Sequence, residues 1–225
     1  MADTTPISNV LNLNLAIRMN DAIAPSGDNG TDADTDGKIM LDTSRNKYII
    51  NASRWLVDKI VGKVGVEKAI PLLQGCVTSQ SMTLSSTGVT LNKDYMYPVR
   101  LLQSSTIEFE YVDAIADAVI DLFPYKDYVY TISGGKLYAW IRTSGTLTLQ
   151  NSGSATFYYI GAPRVNSSTG ADVAINTAPD LGFDQKFLNA ITAYAEFLAC
   201  SDKGTTYWLN KGQLALTEAN NHLGF

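Results

Sequence analysis

The chain has 225 residues, 45% of them hydrophobic, and a net charge of −5, which suits one soluble domain with a substantial core, or one domain carrying a sizeable insertion. The negative charge is concentrated, because residues 21–42 hold six aspartates and one lysine while the remaining acidic and basic residues balance. This distribution excludes a global basic field of the kind that drives tight non-specific binding to DNA.

The N-terminal residues, the apolar runs and the two cysteines indicate the compartment of the protein. The N-terminus lacks a basic stretch followed by an apolar core, and no apolar run approaches the roughly 18 residues of a membrane span. We therefore expect a soluble protein that is made inside the cell. Cys76 and Cys200 are expected to be buried free thiols in a reducing compartment, with a single bridge between them as the alternative.

The N-terminal part is predicted to be helical on both sides of an acidic loop. Pro6 favours a first helix, although the alternation of residues 11–15 also fits a strand. Residues 21–42 form the loop, since proline and glycines interrupt regular structure there. A second helix is predicted from Thr43 or Ser44, either of which can cap it. Its buried stripe consists of Tyr48, Ala52, Trp55, Leu56 and Ile60.

From about Cys76 the pattern becomes that of short strands set among Ser, Thr and Gly. A third helix is predicted at about 106–122. Two hairpins are predicted to follow it. The first joins strands 128–132 and 136–141 through a Gly-Gly pair, which supplies the positive φ of a tight turn. The second pairs residues 146–150 with 155–160.

The C-terminal part returns to helices after a polar linker. Asp184 is predicted to cap a helix over 185–200, and a final helix runs from about Tyr207 toward His222. The fold class is therefore predicted to be α+β, with an inserted antiparallel β-sheet or sandwich region in a helical bundle. The predicted boundaries are 1–65 and 183–225 for the bundle, 66–165 for the β-rich region with its one helix, and 166–182 for the linker.

The sharpest local pattern is a run of alternating aspartates in the acidic loop. Asp32, Asp34 and Asp36 could converge on one hard cation, and Lys38 could add its backbone carbonyl. The run matches the first eight places of an EF-hand calcium loop. Its twelfth place is Thr43, where a bidentate glutamate is expected. Calcium binding and a solvated acidic loop therefore both remain open.

Catalysis is not expected. His222 is the only histidine and lies near the C-terminus, which argues against histidine-based acid–base or triad chemistry. The recurrence of Asp113, Asp117 and Asp121 indicates the polar side of an amphipathic helix. Twelve tyrosines and three tryptophans raise the possibility of carbohydrate binding, but their alternation along strands favours a core or subunit interface.

The order of these elements resembles that of the head–tail connector (adaptor) proteins of tailed bacteriophages, including tail tubular A-type and crAss-like ring proteins. Members of that group show a strand, a Gly-Gly turn, a second strand, and a strand that ends in an aromatic pair close to proline. A polar linker and an alanine-rich helix follow. The matching residues are Tyr128–Ile132, Gly134-Gly135, Lys136–Ile141, Phe157-Tyr158-Tyr159, Pro163 and Ile191-Thr192-Ala193-Tyr194-Ala195.

The resemblance implies a virion structural protein without enzyme activity. Such proteins assemble as a homo-oligomeric ring, usually a dodecamer, beneath the portal protein. The ring extends the channel through which DNA passes and docks later tail or ring proteins. The alternative that the residues leave open is a calcium-dependent or carbohydrate-binding β-rich adhesion module.

Overall fold

The computed structural model describes residues 14–15, 17–19, 42–104, 106–113, 126–173, 183 and 187–224. These residues combine helices with one eight-stranded sheet, so the predicted α+β class is confirmed. The chain divides into two compact units. We call them the helical unit, which comprises Met1–Cys76, Ala162–Asn166 and Ala171–Phe225, and the strand unit, which comprises Val77–Gly161 and Ser167–Gly170.

The helical unit is built from segments at both ends of the chain. By sequence the first segment fits either a helix or a strand. The structure shows a helix at the described positions Asn14, Leu15, Ile17 and Arg18. Elsewhere in the described part, the helices are α1 (Asp42–Val64), α2 (Val66–Ala69), α3 (Leu188–Lys203) and α4 (Thr206–His222), with 3₁₀ turns at Ile70–Leu72 and Gln74–Cys76.

Helix α3 is the central element of the helical unit, because its side chains are buried on nearly every side. Trp55 of α1 stacks on Tyr194 of α3 with ring centroids 4.0 Å apart. On another side, α4 approaches α3 so closely that a Cβ at Gly212 would lie 3.1 Å from the Cβ of Cys200. Gly204, with φ 67°, ends α3 in the left-handed conformation that glycine adopts without strain.

The strand unit holds one mixed sheet. Its strands are β1 (Val77–Thr83), β2 (Val89–Thr90), β3 (Tyr95–Leu102), β4 (Glu108–Tyr111), β5 (Tyr128–Ser133), β6 (Lys136–Thr143), β7 (Thr146–Leu149) and β8 (Ser154–Gly161). They lie in the order β1-β8-β3-β4-β5-β6-β2, and β7 also pairs with β6.

The sheet curls until its two ends meet. The side chain of Gln80 in β1 donates to the carbonyl of Thr90, which ends β2, and accepts from the amide of Asn92, both at 3.0 Å. One face of the curled sheet forms a single core to which most of the strands contribute. The buried members of that core are Met82, Leu84, Leu91, Leu101, Phe109, Tyr130, Leu137, Ala139, Ala155, Phe157 and Tyr159.

The first predicted hairpin is confirmed. Strands β5 and β6 pair antiparallel, with Ser133 opposite Lys136 at the closed end. Gly134 and Gly135 have φ of 57° and 73°, which is the pair of positive values that a type I′ turn requires.

Three features of the sheet correct the sequence prediction. The helix predicted at about 106–122 is wrong at its start, because Glu108–Tyr111 is strand β4. The same residues alternate apolar and acidic, with Phe109 buried between exposed Glu108 and Glu110, and this period of two prevails. Residues 114–122 lie outside the described part.

The sheet is also not purely antiparallel, since β4 and β5 pair in parallel. The long connection 112–127 makes this possible, because parallel neighbours need a crossover of a dozen or more residues. The second predicted hairpin is wrong as well. Strand β7 folds back on β6 through Ser144 and Gly145, whose φ are 53° and 84°, while β8 lies between β1 and β3.

The predicted linker contains local structure where it is described. Val165 and Asp172 form an antiparallel bridge, and the side chain of Arg54 in α1 forms an ion pair with Asp172. The two cysteines are buried and form no disulfide with each other, as predicted. Burial raises the pKa of the Cys200 thiol to about 11, which favours the protonated thiol at neutral pH.

Candidate interaction surface

Helix α4 has two faces of different character, and its inner face consists of small residues. Gly212, Ala215 and Ala219 recur at spacings of three and four and are buried. Their small side chains allow the backbone of α4 to pack closely on α3 near Cys200. The inner face therefore belongs to the core of the helical unit.

A group of charged side chains lies along one border of this inner face. Glu196 of α3 is only 4% exposed. Its carboxylate accepts from Arg18 Nε at 2.5 Å and lies 3.4 Å from Lys211 Nζ of α4. Because a buried carboxylate without partners is strongly destabilising, these two cations are what make Glu196 tolerable in the core.

The group continues through a second carboxylate on α4. Arg18 Nη1 donates to Glu218 at 3.0 Å, and Nη2 of the same guanidinium contacts the other carboxylate oxygen. His222 Nε2 lies 3.2 Å from Glu218. Hydrogen bonding to Arg18 is the largest cause that lowers the pKa of Glu218, and the two carboxylates in turn raise the pKa of Arg18.

The outward face of α4 exposes large apolar side chains. Leu214 is 73% exposed, Tyr207 63% and Leu209 47%. The described residues contain five such exposed large hydrophobic side chains, and three of them lie on this one helix. An exposed apolar group of this kind on one element is typical of an interaction surface.

Helix α4 begins with an aromatic group that two lysines flank. Lys203 Nζ lies 4.6 Å and Lys211 Nζ 5.1 Å from the ring centroid of Trp208. Tyr207 packs edge-on against the same ring at 5.1 Å. These contacts fix the start of α4 and hold Tyr207 in an exposed position.

The described part of the strand unit contains two buried tyrosines with different surroundings. Tyr159 donates from its hydroxyl to Asp94 at 2.8 Å and accepts from Asn92 at 2.9 Å. Burial is the largest cause that raises the pKa of Tyr159 to about 12. The hydroxyl of Tyr130 is buried and has no hydrogen-bond partner among the described residues. Neither tyrosine is accessible to a ligand from outside.

An open groove of about 370 Å³ lies on the β1, β8 and β3 part of the sheet. Its hydroxyl groups come from two cross-strand pairs, Ser81 with Thr156 and Thr83 with Ser154, and from Ser104. None of its lining residues is ionisable, so the groove itself supplies no acid, base or charged ligand.

The predicted metal site lies outside the described residues. This holds for Asp32, Asp34, Asp36 and Lys38. Within the described ranges, no three His, Cys, Asp or Glu side chains lie close enough to hold a metal ion. The calcium hypothesis stays a prediction, and calorimetry tests it directly. Heat on titration with Ca²⁺ that disappears in Asp34→Asn would support it, and no heat at millimolar Ca²⁺ would contradict it.

The other predicted residues are distributed over both units. His222 is in the last turn of α4 and contacts Glu218. Asp113 is exposed just after β4, whereas Asp117 and Asp121 lie outside the described residues. Among the described aromatic residues of the strand unit, Tyr111 is the only exposed one. The other described rings of the strand unit are buried or half-buried.

Sequence reasoning missed the charged group around Glu196. The sequence indicates this group only through Glu196, a single glutamate within an otherwise apolar, alanine-rich stretch of helix. A charge on such a face requires a partner, because an unpaired buried charge is costly. The partner residues could not be named from sequence, since Arg18 and Glu196 are remote along the chain. The uncharged outward face of α4 was also not predicted, although the spacing of polar and apolar residues along the helix is enough to indicate it.

Comparisons with known proteins add no relative. A scan against protein-family models and a search of curated proteins both return no match to this chain. A separate property concerns membranes. Of the helices in the described part of the chain, none combines the length and the hydropathy that crossing a membrane demands.

Proposed function

We propose that this chain is a structural protein of a tailed-bacteriophage virion, namely a head–tail adaptor. Its subunits assemble as a ring, a dodecamer in the family it resembles, beneath the portal protein. The ring extends the DNA channel and docks tail or further ring proteins. The protein is made in the host cytoplasm, resides at the head–tail junction and carries out no enzymatic reaction.

The proposal rests on the position in the sequence at which the chain passes from the strand unit to the helical unit. The long segment of the strand unit, Val77–Gly161, ends and the helical unit resumes at Ala162, within the Phe157–Pro163 junction on which the resemblance rests. Helices from both ends of the chain belong to one unit, and the strands belong to the other. This favours a helical bundle with an inserted β-rich region, the organisation expected of an adaptor.

The charge of the chain is compatible with a DNA channel. A net charge of −5 does not promote tight binding to duplex phosphates, because such binding depends on clustered lysine and arginine. A subunit whose channel surface does not retain DNA allows the genome to pass. The same charge makes a nucleic-acid-binding function a poor alternative.

A ring subunit also needs two different surfaces that complement each other on neighbouring copies. The exposed apolar side chains of α4 offer one candidate. The rival adhesion function would use exposed aromatic faces to stack on sugars. The strand unit offers little support for it, because Tyr111 is the only described aromatic residue there that is exposed.

Localisation in the virion tests the proposal. Purified particles of the phage that encodes the chain are incubated with a gold-labelled Fab raised against the chain and viewed by negative-stain microscopy. Label at the neck, between head and tail, is the expected result. Label at the tail tip or fibres would favour an adhesion module instead. Absence of the chain from purified particles, measured by mass spectrometry, would overturn the proposal.

A further inference from the structure

The outward face of α4 is uncharged as well as apolar. Besides Tyr207, Leu209 and Leu214, its exposed residues are neutral polar ones. They are Asn210, Gln213, Thr217, Asn220 and Asn221. With 3.6 residues per turn, Leu214 and the neutral polar residues lie in the half of the helix opposite Gly212, Ala215 and Ala219. Tyr207 and Leu209 lie at the two opposite borders of that half.

The absence of charge on this face results from where α4 places its titratable residues. Apart from Tyr207, whose phenol is neutral at neutral pH, the helix has three of them, Lys211, Glu218 and His222. Lys211 contacts Glu196, and Glu218 contacts both Arg18 and His222, so all three turn toward the same border of the helix. A solvated helix face ordinarily carries charges, whereas the centre of a protein interface is depleted of them and enriched in aromatic residues.

We propose that the outward face of α4 is covered by a second copy of this chain. The proposal rests on the proposed function, since it assigns one of the two surfaces through which ring subunits meet. Copies that each carry a net charge of −5 repel one another. A face without charges lets them approach without placing like charges opposite each other, and it offers nothing to attract DNA or a strongly charged partner.

The size of the face determines how strong the association is. A helix of 17 residues is about 26 Å long and about 10 Å wide. One such face is smaller than the roughly 800 Å² per partner of a stable standard interface. Two copies in solution therefore associate weakly, and the closed ring stabilises the contact because each subunit is held on two sides. In a ring, the surface of the neighbouring copy that covers α4 is not its own α4 but a different surface.

Sedimentation velocity of the full chain over a wide concentration range tests the proposal. Leu214→Glu places a carboxylate at the middle of the face and is expected to weaken self-association by about tenfold or more, because burying an unpaired charge is costly. Gln74→Glu is the matched control, since it adds the same charge at an exposed position of the same unit. The control is expected to associate within about twofold of the unmodified chain, as ordinary surface changes do.

Thermal unfolding of the same variants distinguishes the other possible occupants. Because Leu214 is largely exposed in the single chain, Leu214→Glu is expected to leave the melting temperature of the monomer unchanged. A clear loss would mean that a segment of the same chain covers the face, and the proposal would be wrong. An unmodified chain that stays monomeric up to about millimolar concentration, where even weak contacts populate dimers, would also overturn it.

Self-association that Leu214→Glu leaves intact would overturn the assignment of the face but not the adaptor function. Failure of the function has a different signature. The chain would then be absent from the neck of purified particles, whatever its behaviour in sedimentation.

Discussion

At the scale of single residues, Tyr159 and Tyr130 form a natural comparison in the core of the strand unit. The hydroxyl of Tyr159 contacts Asn92 and Asp94, whereas that of Tyr130 has no partner among the described residues. Tyr159→Phe is expected to lower the free energy of unfolding by about 1–2 kcal/mol, because Asn92 and Asp94 lose a partner. Tyr130→Phe is expected to change it by less than about 0.5 kcal/mol or to stabilise slightly.

Urea unfolding of both variants measures the difference. Each substitution removes only a hydroxyl and leaves the ring in place, so each variant is the control for the other. Equal losses would show that the hydrogen bonds of Tyr159 add nothing to stability.

The ion pair of Glu218 predicts a dependence of stability on pH. Its pKa in the folded state is lowered below the ordinary 4.5, chiefly by Arg18. The stabilisation is therefore fully present above about pH 5.5 and is lost as pH falls through the lowered value. Because the side chain of Glu218 is 41% exposed, the contribution is expected to stay below about 1 kcal/mol.

The measurement is the free energy of unfolding of the unmodified chain and of Glu218→Gln, in urea, between pH 7 and pH 3. The difference between the two is expected to be constant near neutrality and to shrink below about pH 4.5. Glu67→Gln, at an exposed position of α2, controls for the loss of a carboxylate. A difference that persists unchanged at pH 3 would contradict this assignment.

Some of these residue-scale features could be predicted from the sequence, and others could not. The burial of Cys76 and Cys200 without a disulfide is what their residue type predicts. The pairing of Glu196 with Arg18 does not, because a contact between remote residues depends on how the helices pack.

At the scale of elements, the glycines of α1 and α4 show how closely helices approach. A side chain at Gly62 of α1 would meet nothing within 4 Å, whereas one at Gly212 of α4 would press on Cys200. Gly62→Ala is expected to raise the free energy of unfolding by about 0.5–1 kcal/mol, since alanine restricts the unfolded chain. Gly212→Leu is expected to lower it by about 1–3 kcal/mol because α4 is forced away from α3.

Chemical denaturation monitored by circular dichroism checks this pair, and Gly62→Leu serves as the control for side-chain size. A leucine that is tolerated at position 212 as well as at position 62 would show that α3 and α4 are not in close contact.

The predicted elements were most accurate where turn chemistry and periodicity agreed. The hairpin of β5 and β6 follows from its Gly-Gly turn and alternating strands. The stretch from Ile107 to Tyr111 satisfies both the helical period and the period of two, and only packing of Phe109 into the sheet core decides for a strand. The partners of β7 and β8 depend on long-range pairing, which local sequence does not specify.

At the scale of the whole molecule, the chain uses its ends for helices and its middle for a curled sheet. The helical unit anchors α4 from within through small residues and the charged group around Glu196. That arrangement leaves the opposite half of α4 uncharged and exposed. An uncharged helix face on a helix that is packed against its own unit is the kind of surface that a repeated subunit can offer to its neighbour.

The assembly proposed here goes beyond what sequence composition could predict. Composition predicts an acidic chain with a hydrophobic core, and the resemblance supplies the idea of a ring. Which surface joins the copies depends on the direction in which Lys211, Glu218 and His222 turn, and that direction follows from the contacts of α4 with its neighbours.

Reconstitution with the portal protein encoded in the same genome tests the central claim most directly. The purified chain is mixed with assembled portal rings, and the complexes are separated and class-averaged by negative-stain microscopy. The adaptor account predicts a second annular layer stacked coaxially on the portal, with its central channel open. Portal rings that remain bare at saturating concentrations of the folded chain would contradict it.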